Sequence, residues 1–337
     1  MSSNQNGRTA KILWAVDPFH EEPEAQLRAF EALTKLFGKA PFTVQPVAML
    51  NLGRYNPVLG YLQFDWKSLA DSANEQLTAL LSRLEHPGLL RTRLIKQEHA
   101  TVAGAARDLL ALALEEGAEM ILVSSHARKG LERALLGSFA ECLVLQSPIP
   151  VLVVNPTSQA KSVRKIETIL FPTDLSDTSY EAFCRTVKLA GSLGLPIRLF
   201  HNLQYLSSQV GPSFFYPAVS AESIENLRAS IREQAVPWIA FGKKHDVLVS
   251  FEMSGGDDRT LDAVLAAAKE TGPSTVIAMA SQSGRGKALL LGSLTRQVLR
   301  SSLSPVLVVH PDHESAVKQF VDEAKLVGYA YTAKPLF

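Results

Sequence analysis

The chain is 337 residues long, 46% apolar and 20% charged, with a net charge of +1. That length suits about two ordinary domains, and the near-neutral balance gives no footing for nucleic acid or an anionic membrane surface. No apolar run approaches the ~20 residues a membrane helix needs. The polar start MSSNQNGRTA does not read as a secretory signal. Two cysteines, Cys142 and Cys184, make no metal spacing and read as small core or half-buried residues. Together these features point to a cytoplasmic protein.

Taken in chain order, residues 1–9 are expected to be disordered. Apolar runs then predict strands over 12–16, 44–50, 92–96, 120–123 and 151–154. Helical periodicity fills 24–37, 67–84, 102–116 and 131–146 between them. The alternation restarts after a polar link, with strands at 169–171, PIRLFHNL, VLVSFEM, STVIAMA and the closing PVLVV. Helices are predicted from Ser179 as cap to Gly194 as stop, then over 221–241, 261–270 and 287–301. Strands apolar on both faces, alternating with helices, predict α/β architecture with a parallel sheet covered on both sides.

The restart is a repetition. ALLGSFAECLVLQSPIPVLVVNP at 134–156 is echoed by LLLGSLTRQVLRSSLSPVLVVHP at 289–311. KILWAVD, ending at Asp17, is echoed by TILFPTD, ending at Asp174. The period is far too long for a solenoid unit, so a whole domain is duplicated. The expected organisation is domain 1 at 10–156, a linker at 157–165, domain 2 at 166–311 and a C-terminal helical extension at 312–337. The polar run 155–165 is expected to lie exposed.

Open parallel sheets hold ligands at the carboxyl ends of their strands, near the point where strand order reverses. Asp17, Asp174 and the loops before the two Gly-Ser pairs belong there. Those loops read VSSHARKGLERALLGS and AMASQSGRGKALLLGS. Small residues let backbone N–H groups approach an anion, and the following helix N-terminus adds partial positive charge. Arg128 and Lys129, and Arg285 and Lys287, supply counter-charge for phosphate. Neither loop is a Walker motif, and Gly284 and Gly286 alone make a weak G-x-G signal.

These segments resemble the universal stress protein family over roughly residues 10–156 and 165–311. That family's phosphate-and-ribose motif is Gly, two residues, Gly, nine residues, then Gly and Ser or Thr. Gly137-Ser138 and Gly292-Ser293 match its end, and SHARKG resembles its usual SHGRxG. Counting back from Gly137, the two earlier glycine positions hold Ser124 and Ala127; from Gly292 they hold Met279 and Gln282. The bulk of Met279 and Gln282 favours the first half as the binding half. The resemblance implies two tandem Rossmann-like domains, each an open five-stranded parallel sheet with helices on both faces. It implies ATP with Mg as cofactor, held by Asp17, Ser124, His126, Ala127, Arg128, Gly130, Gly137 and Ser138, and by Asp174, Gly284, Gly286, Gly292 and Ser293. The closing VLVV strand is similar to the one that mediates dimers in the family. It implies an intramolecular pseudo-dimer of the two halves, with homodimers of the whole chain besides.

Plainer readings stand beside these. Asp17 and Asp174 fit turns that satisfy backbone N–H groups. Ser138 and Ser293 fit bonds within their own helix, and Gly137 and Gly292 fit close helix packing. His126, and Glu98 with His99, read as ordinary polar loop and strand-end residues. The aromatic stretches 53–66 and 211–219 fit a cover over each cleft. In the extension, Val317, Phe320, Val321 and Ala324 share a helical face suited to docking on the protein's own body. No residues assemble into a catalytic set. The reading is a regulatory or sensing stress protein. Its alternatives are a slow metal-dependent ATPase using Asp17 or Asp174, and an interaction module that binds no nucleotide.

Overall fold

The computed structural model describes residues 9–51, 65–97, 101–125, 136–156, 158, 164–204, 221–256, 259–283 and 289–311. In the first half, strands β1 (Ala10–Ala15), β2 (Phe42–Leu50), β3 (Arg93–Lys96), β4 (Met120–Ser124) and β5 (Val151–Val154) alternate with helices α1 (Pro23–Phe37), α2 (Trp66–Leu81), α3 (Val102–Glu115) and α4 (Ser138–Gln146). The second half repeats this with β6 (Thr168–Pro172), β7 (Ile197–Gln204), β8 (Val249–Gly256), β9 (Thr275–Ala280) and β12 (Val306–Val309). Its helices are α5 (Asp177–Leu193), α6 (Ala221–Lys244), α7 (Thr260–Thr271) and α8 (Ser293–Ser301). A small antiparallel pair, β10 (Gln282–Ser283) and β11 (Leu289–Leu290), precedes α8, where the sequence predicted helix from 287 onward.

Each half has the same strand order, 3-2-1-4-5 in the first and 8-7-6-9-12 in the second, with parallel pairing inside each. The two five-stranded parallel sheets do not stand apart. β5 and β12 pair antiparallel, with Leu152 opposite Leu307, and fuse them into one ten-stranded sheet. The VLVV edge therefore finds its partner within the chain, as an unpaired apolar edge demands.

Two layers of helices cover this sheet. On one face α1, α2, α5 and α6 pack over a core that runs from Trp14 and Phe30 through Leu152 and Leu307 to Phe171 and Phe183. On the other, α3, α4, α7 and α8 cover Leu13, Ile121, Val151, Ile277 and Val306. Both cores cross the junction without a break. At roughly 25 cal/mol per Å² of apolar surface removed from water, such continuity ties the folding of one half to the other.

Helix starts follow local chemistry. Asp65 caps α2 by accepting the Ser68 N–H at 2.7 Å, and Thr101 caps α3 by accepting that of Gly104 at 3.1 Å. α5 is capped by Ser176, not Ser179: the Ser176 hydroxyl accepts the Ser179 N–H, so the helix begins three residues earlier than the sequence pattern suggested. Its stop is as expected, with Gly194 left-handed at φ 66°.

The link departs from expectation. Asn155, Pro156 and Ser158 are buried, and only Arg164 and Lys165 among its described residues are exposed. The cause is polar satisfaction. The Ser158 N–H donates to the Asn155 carbonyl at 2.9 Å, and the Ile166 N–H donates to the Lys35 carbonyl at the end of α1 at 3.0 Å. The link is therefore tied to the end of α1 where it leads into β6. The aromatic stretch 53–64, residues 98 and 99, the loop 211–219 and the extension 312–337 lie outside the described residues.

Candidate functional site

In each half the strand order reverses between the first and fourth strands, β1/β4 and β6/β9. Asp17 and Asp174 stand just past β1 and β6 at this point. Each closes the same two-residue turn. Asp17 Oδ1 accepts the Phe19 N–H at 3.0 Å, and Asp174 Oδ1 accepts the Ser176 N–H at 3.0 Å. The turn role foreseen for aspartate is present in both halves.

The supports differ. Gln26, buried on α1, grips the Asp17 backbone with both ends of its amide: Oε1 accepts the Asp17 N–H at 2.8 Å and Nε2 donates to the Asp17 carbonyl at 2.9 Å. Asp174 is held through its side chain, whose Oδ1 also accepts the hydroxyls of Ser176 and Ser179 at 2.6 Å each. Burial pushes the Asp174 carboxyl up, but the Ser176 and Ser179 hydrogen bonds outweigh it and leave the group below its ordinary value. Leu175 beside it is left-handed at φ 61°, a strained conformation for a non-glycine residue. The matching position in the first half is Pro18, whose ring excludes that conformation.

The two Gly-Ser pairs are equivalent in detail. Gly137 and Gly292 are the N-caps of α4 and α8, at φ −60° and −56°, and neither helix start has a side-chain cap. These angles suit any residue, so glycine here leaves space at the first N–H groups and answers no backbone strain. Ser138 and Ser293 are the first helical residues and are exposed; they do not lie inside the helices. Thr295 Oγ1 donates to the Ala280 carbonyl at 3.3 Å and fixes the start of α8 against the end of β9.

Strand pairing corrects the count along the motif. Ser124 is opposite Val154 and Ala280 is opposite Val309. Ala280, not Met279, therefore occupies the place of Ser124. Ser124 precedes Gly137 by 13 residues and Ala280 precedes Gly292 by 12, so the second loop is one residue shorter. Met279 is 3% exposed and packs in the core beneath α7 and α8. It does not fill the cleft, so the bulk of Met279 is no ground for preferring the first half.

His126, Ala127, Arg128, Gly130, Gly284 and Gly286 lie outside the described residues, as do Lys129, Arg285 and Lys287. Cys142 and Cys184 are half-buried with free thiols, both pushed up by burial. Among the described residues no cluster of His, Cys, Asp and Glu has the make-up of a metal centre. No described helix is long and apolar enough to cross a membrane.

The universal stress protein family model matches residues 9–155 and again 165–310. The chain belongs to the universal stress protein family. It carries two copies of the family domain in tandem. A universal stress protein from Archaeoglobus fulgidus DSM 4304 superposes with a TM-score of 0.57 at 17% identity, covering 90% of this chain and 98% of that one. A protein of unknown function from Pseudomonas aeruginosa PAO1 gives a TM-score of 0.58 at 15% identity, covering 96% of this chain and 100% of that one. At such identities the likeness is one of fold. Comparison with curated proteins gave no match.

Three features escape a reading of the sequence. The Gln26 clamp is hidden because glutamine on a helix reads as a surface residue. Asn155 reads as linker. Glu141 and Arg296 read as solvated helix charges, yet they form an ion pair between the halves. The usable signal was the repeat itself: Asn155 aligns with His310 and Glu141 with Arg296, so the copies diverge in chemistry where they meet.

Proposed function

We propose that this tandem universal stress protein is a nucleotide-responsive regulator working in the cytoplasm, with a cleft in each half for an adenine nucleotide, ATP with Mg. The observation that carries the reading is the pair of uncapped helix starts at Gly137-Ser138 and Gly292-Ser293. Each opens a helix that follows the strand at the switch point, at the end where Asp17 or Asp174 stands. Open N–H groups with the helix dipole behind them suit a phosphate. The first cleft would use Asp17, Ser124, His126, Ala127, Arg128, Gly130, Gly137 and Ser138. The second would use Asp174, Gly284, Gly286, Gly292 and Ser293. With Ala280 at the position of Ser124, both halves keep a small residue at the end of the fourth strand. No reaction is proposed.

The strand edge used for pairing in the resemblance is taken up within the chain, so a homodimer would use another surface. Calorimetric titration with MgATP tests the reading on the parent, Gly137→Val and Gly292→Val. Valine fits the backbone angles at both positions, and circular dichroism checks folding. Two sites are expected in the parent and one in each variant. No heat at millimolar MgATP overturns the nucleotide reading and leaves the interaction module. Turnover of ATP in the same samples, lost in Asp17→Asn or Asp174→Asn, would favour the ATPase.

A further inference from the structure

Asn155 is the first residue after β5 and is 3% exposed. Its side chain is fully engaged. Oδ1 accepts the Ser125 hydroxyl at 2.5 Å, and Nδ2 donates to the carbonyls of Leu299 at 3.0 Å and Ser302 at 2.8 Å. Ser125 is wholly buried, follows β4 directly, and donates its N–H to the Val154 carbonyl at 3.0 Å. Leu299 and Ser302 belong to the other half, at the end of α8. The last carbonyls of a helix have no partner within it. Here a side chain from the opposite half supplies two.

The turn after each Gly-Ser helix is otherwise built alike. Ser147 Oγ donates to the Ile149 carbonyl at 2.6 Å, as Ser302 Oγ donates to that of Ser304 at 2.8 Å. What differs is the residue presented from across the junction. The counterpart of Asn155 is His310, and a neutral imidazole has one donor and one acceptor where a carboxamide has two donors and an acceptor. A three-way latch of this kind is open to Asn155 and not to His310.

We infer that Asn155 is a positioning residue that ties the end of β4 in the first half to α8 of the second, so that the two halves' clefts are coupled. The coupling of clefts rests on the proposed function; the tie itself does not. Its far end is the Gly292-Ser293 start of α8, only nine residues from Ser301. A helix that short moves as a rigid rod of about 1.5 Å per residue. A shift of Ser125 therefore reaches the start of α8 through one amide.

Hydrogen exchange on the full-length chain tests the tie without any ligand. Ser125→Ala removes only the first-half leg. It should speed exchange in peptides spanning the end of α8 by roughly threefold to tenfold, the range for one buried hydrogen bond, and leave α2 and α6 unchanged. Asn155→Leu should do the same more strongly. Unchanged α8 exchange in Ser125→Ala, or an equal rise in every peptide, overturns the inference. With MgATP, Gly137→Val should weaken or strengthen binding to the second half in the parent background but not in Ser125→Ala. A parent that binds no MgATP sinks the proposed function alone, and the exchange result still decides the tie.

Discussion

Glu141 and Arg296 occupy equivalent places in the two halves and meet across the junction, Arg296 Nε standing 3.4 Å from Glu141 Oε1. A local twofold axis passes between Leu152 and Leu307, so each of these residues faces the position that corresponds to its own. In a pair of identical domains the same side chain would face itself. Duplication in one chain allowed opposite charges there.

Charge reversal should expose this. Glu141→Arg and Arg296→Glu are each expected to destabilise the chain by about 0.5 kcal/mol, because both side chains are partly exposed and solvent screens the pair. The double reversal should restore the parent's urea midpoint. A double variant as unstable as the two losses combined would mean the pair contributes nothing.

Acid should act through Asp174. Its carboxyl titrates below the ordinary value in the folded chain because Ser176 and Ser179 donate to it, against the opposing effect of burial. Its contribution to stability is then present above the unfolded carboxyl value near 4 and is lost as pH falls through the lower folded value. Asp174→Asn should melt below the parent at pH 7, with the gap closing toward pH 2.5. A gap that stays constant with pH would place the effect elsewhere.

Ser176 both caps α5 and donates to Asp174. Ser176→Ala should cost about 1 kcal/mol, the usual loss for a cap, and should shrink the pH dependence attributed to Asp174. Thermal melts at pH 7 and pH 3 read both effects. A loss of stability with the pH dependence intact would separate the cap from the carboxylate.

Because both cores cross the junction, the halves should unfold together. Leu307→Ala, at a wholly buried site on the junction, is expected to cost about 2–5 kcal/mol and to keep a single transition. Far-UV circular dichroism and intrinsic tryptophan fluorescence should give the same midpoint, since Trp14 lies in the first half and Trp238 in the second. Two separated transitions would show that the halves are independent.

Much of the fold was legible in the sequence because it rests on patterns that repeat: apolar strands, helical spacing and a closing VLVV written twice. The pairing of β5 with β12 followed from the same run, since an apolar edge must be covered. The candidate site was legible only in its parts. Counting along the chain aligned Met279 with Ser124, but strand register, which sequence offsets do not encode, puts Ala280 there. Ser179 was the obvious cap by spacing, yet the nearer hydroxyl of Ser176 reaches the open N–H first. Asn155 was invisible because its partners lie 144 and 147 residues away, and no local pattern announces such a bond.

The antiparallel union of β5 with β12 also fixes a direction. Within the shared sheet the five strands of one half run opposite to the five of the other, so their carboxyl ends emerge on opposite rims. The Asp17 turn looks out from one rim and the Asp174 turn from the other. The molecule is thus two-ended: whatever reaches the Asp17 turn comes from the side opposite to whatever reaches the Asp174 turn.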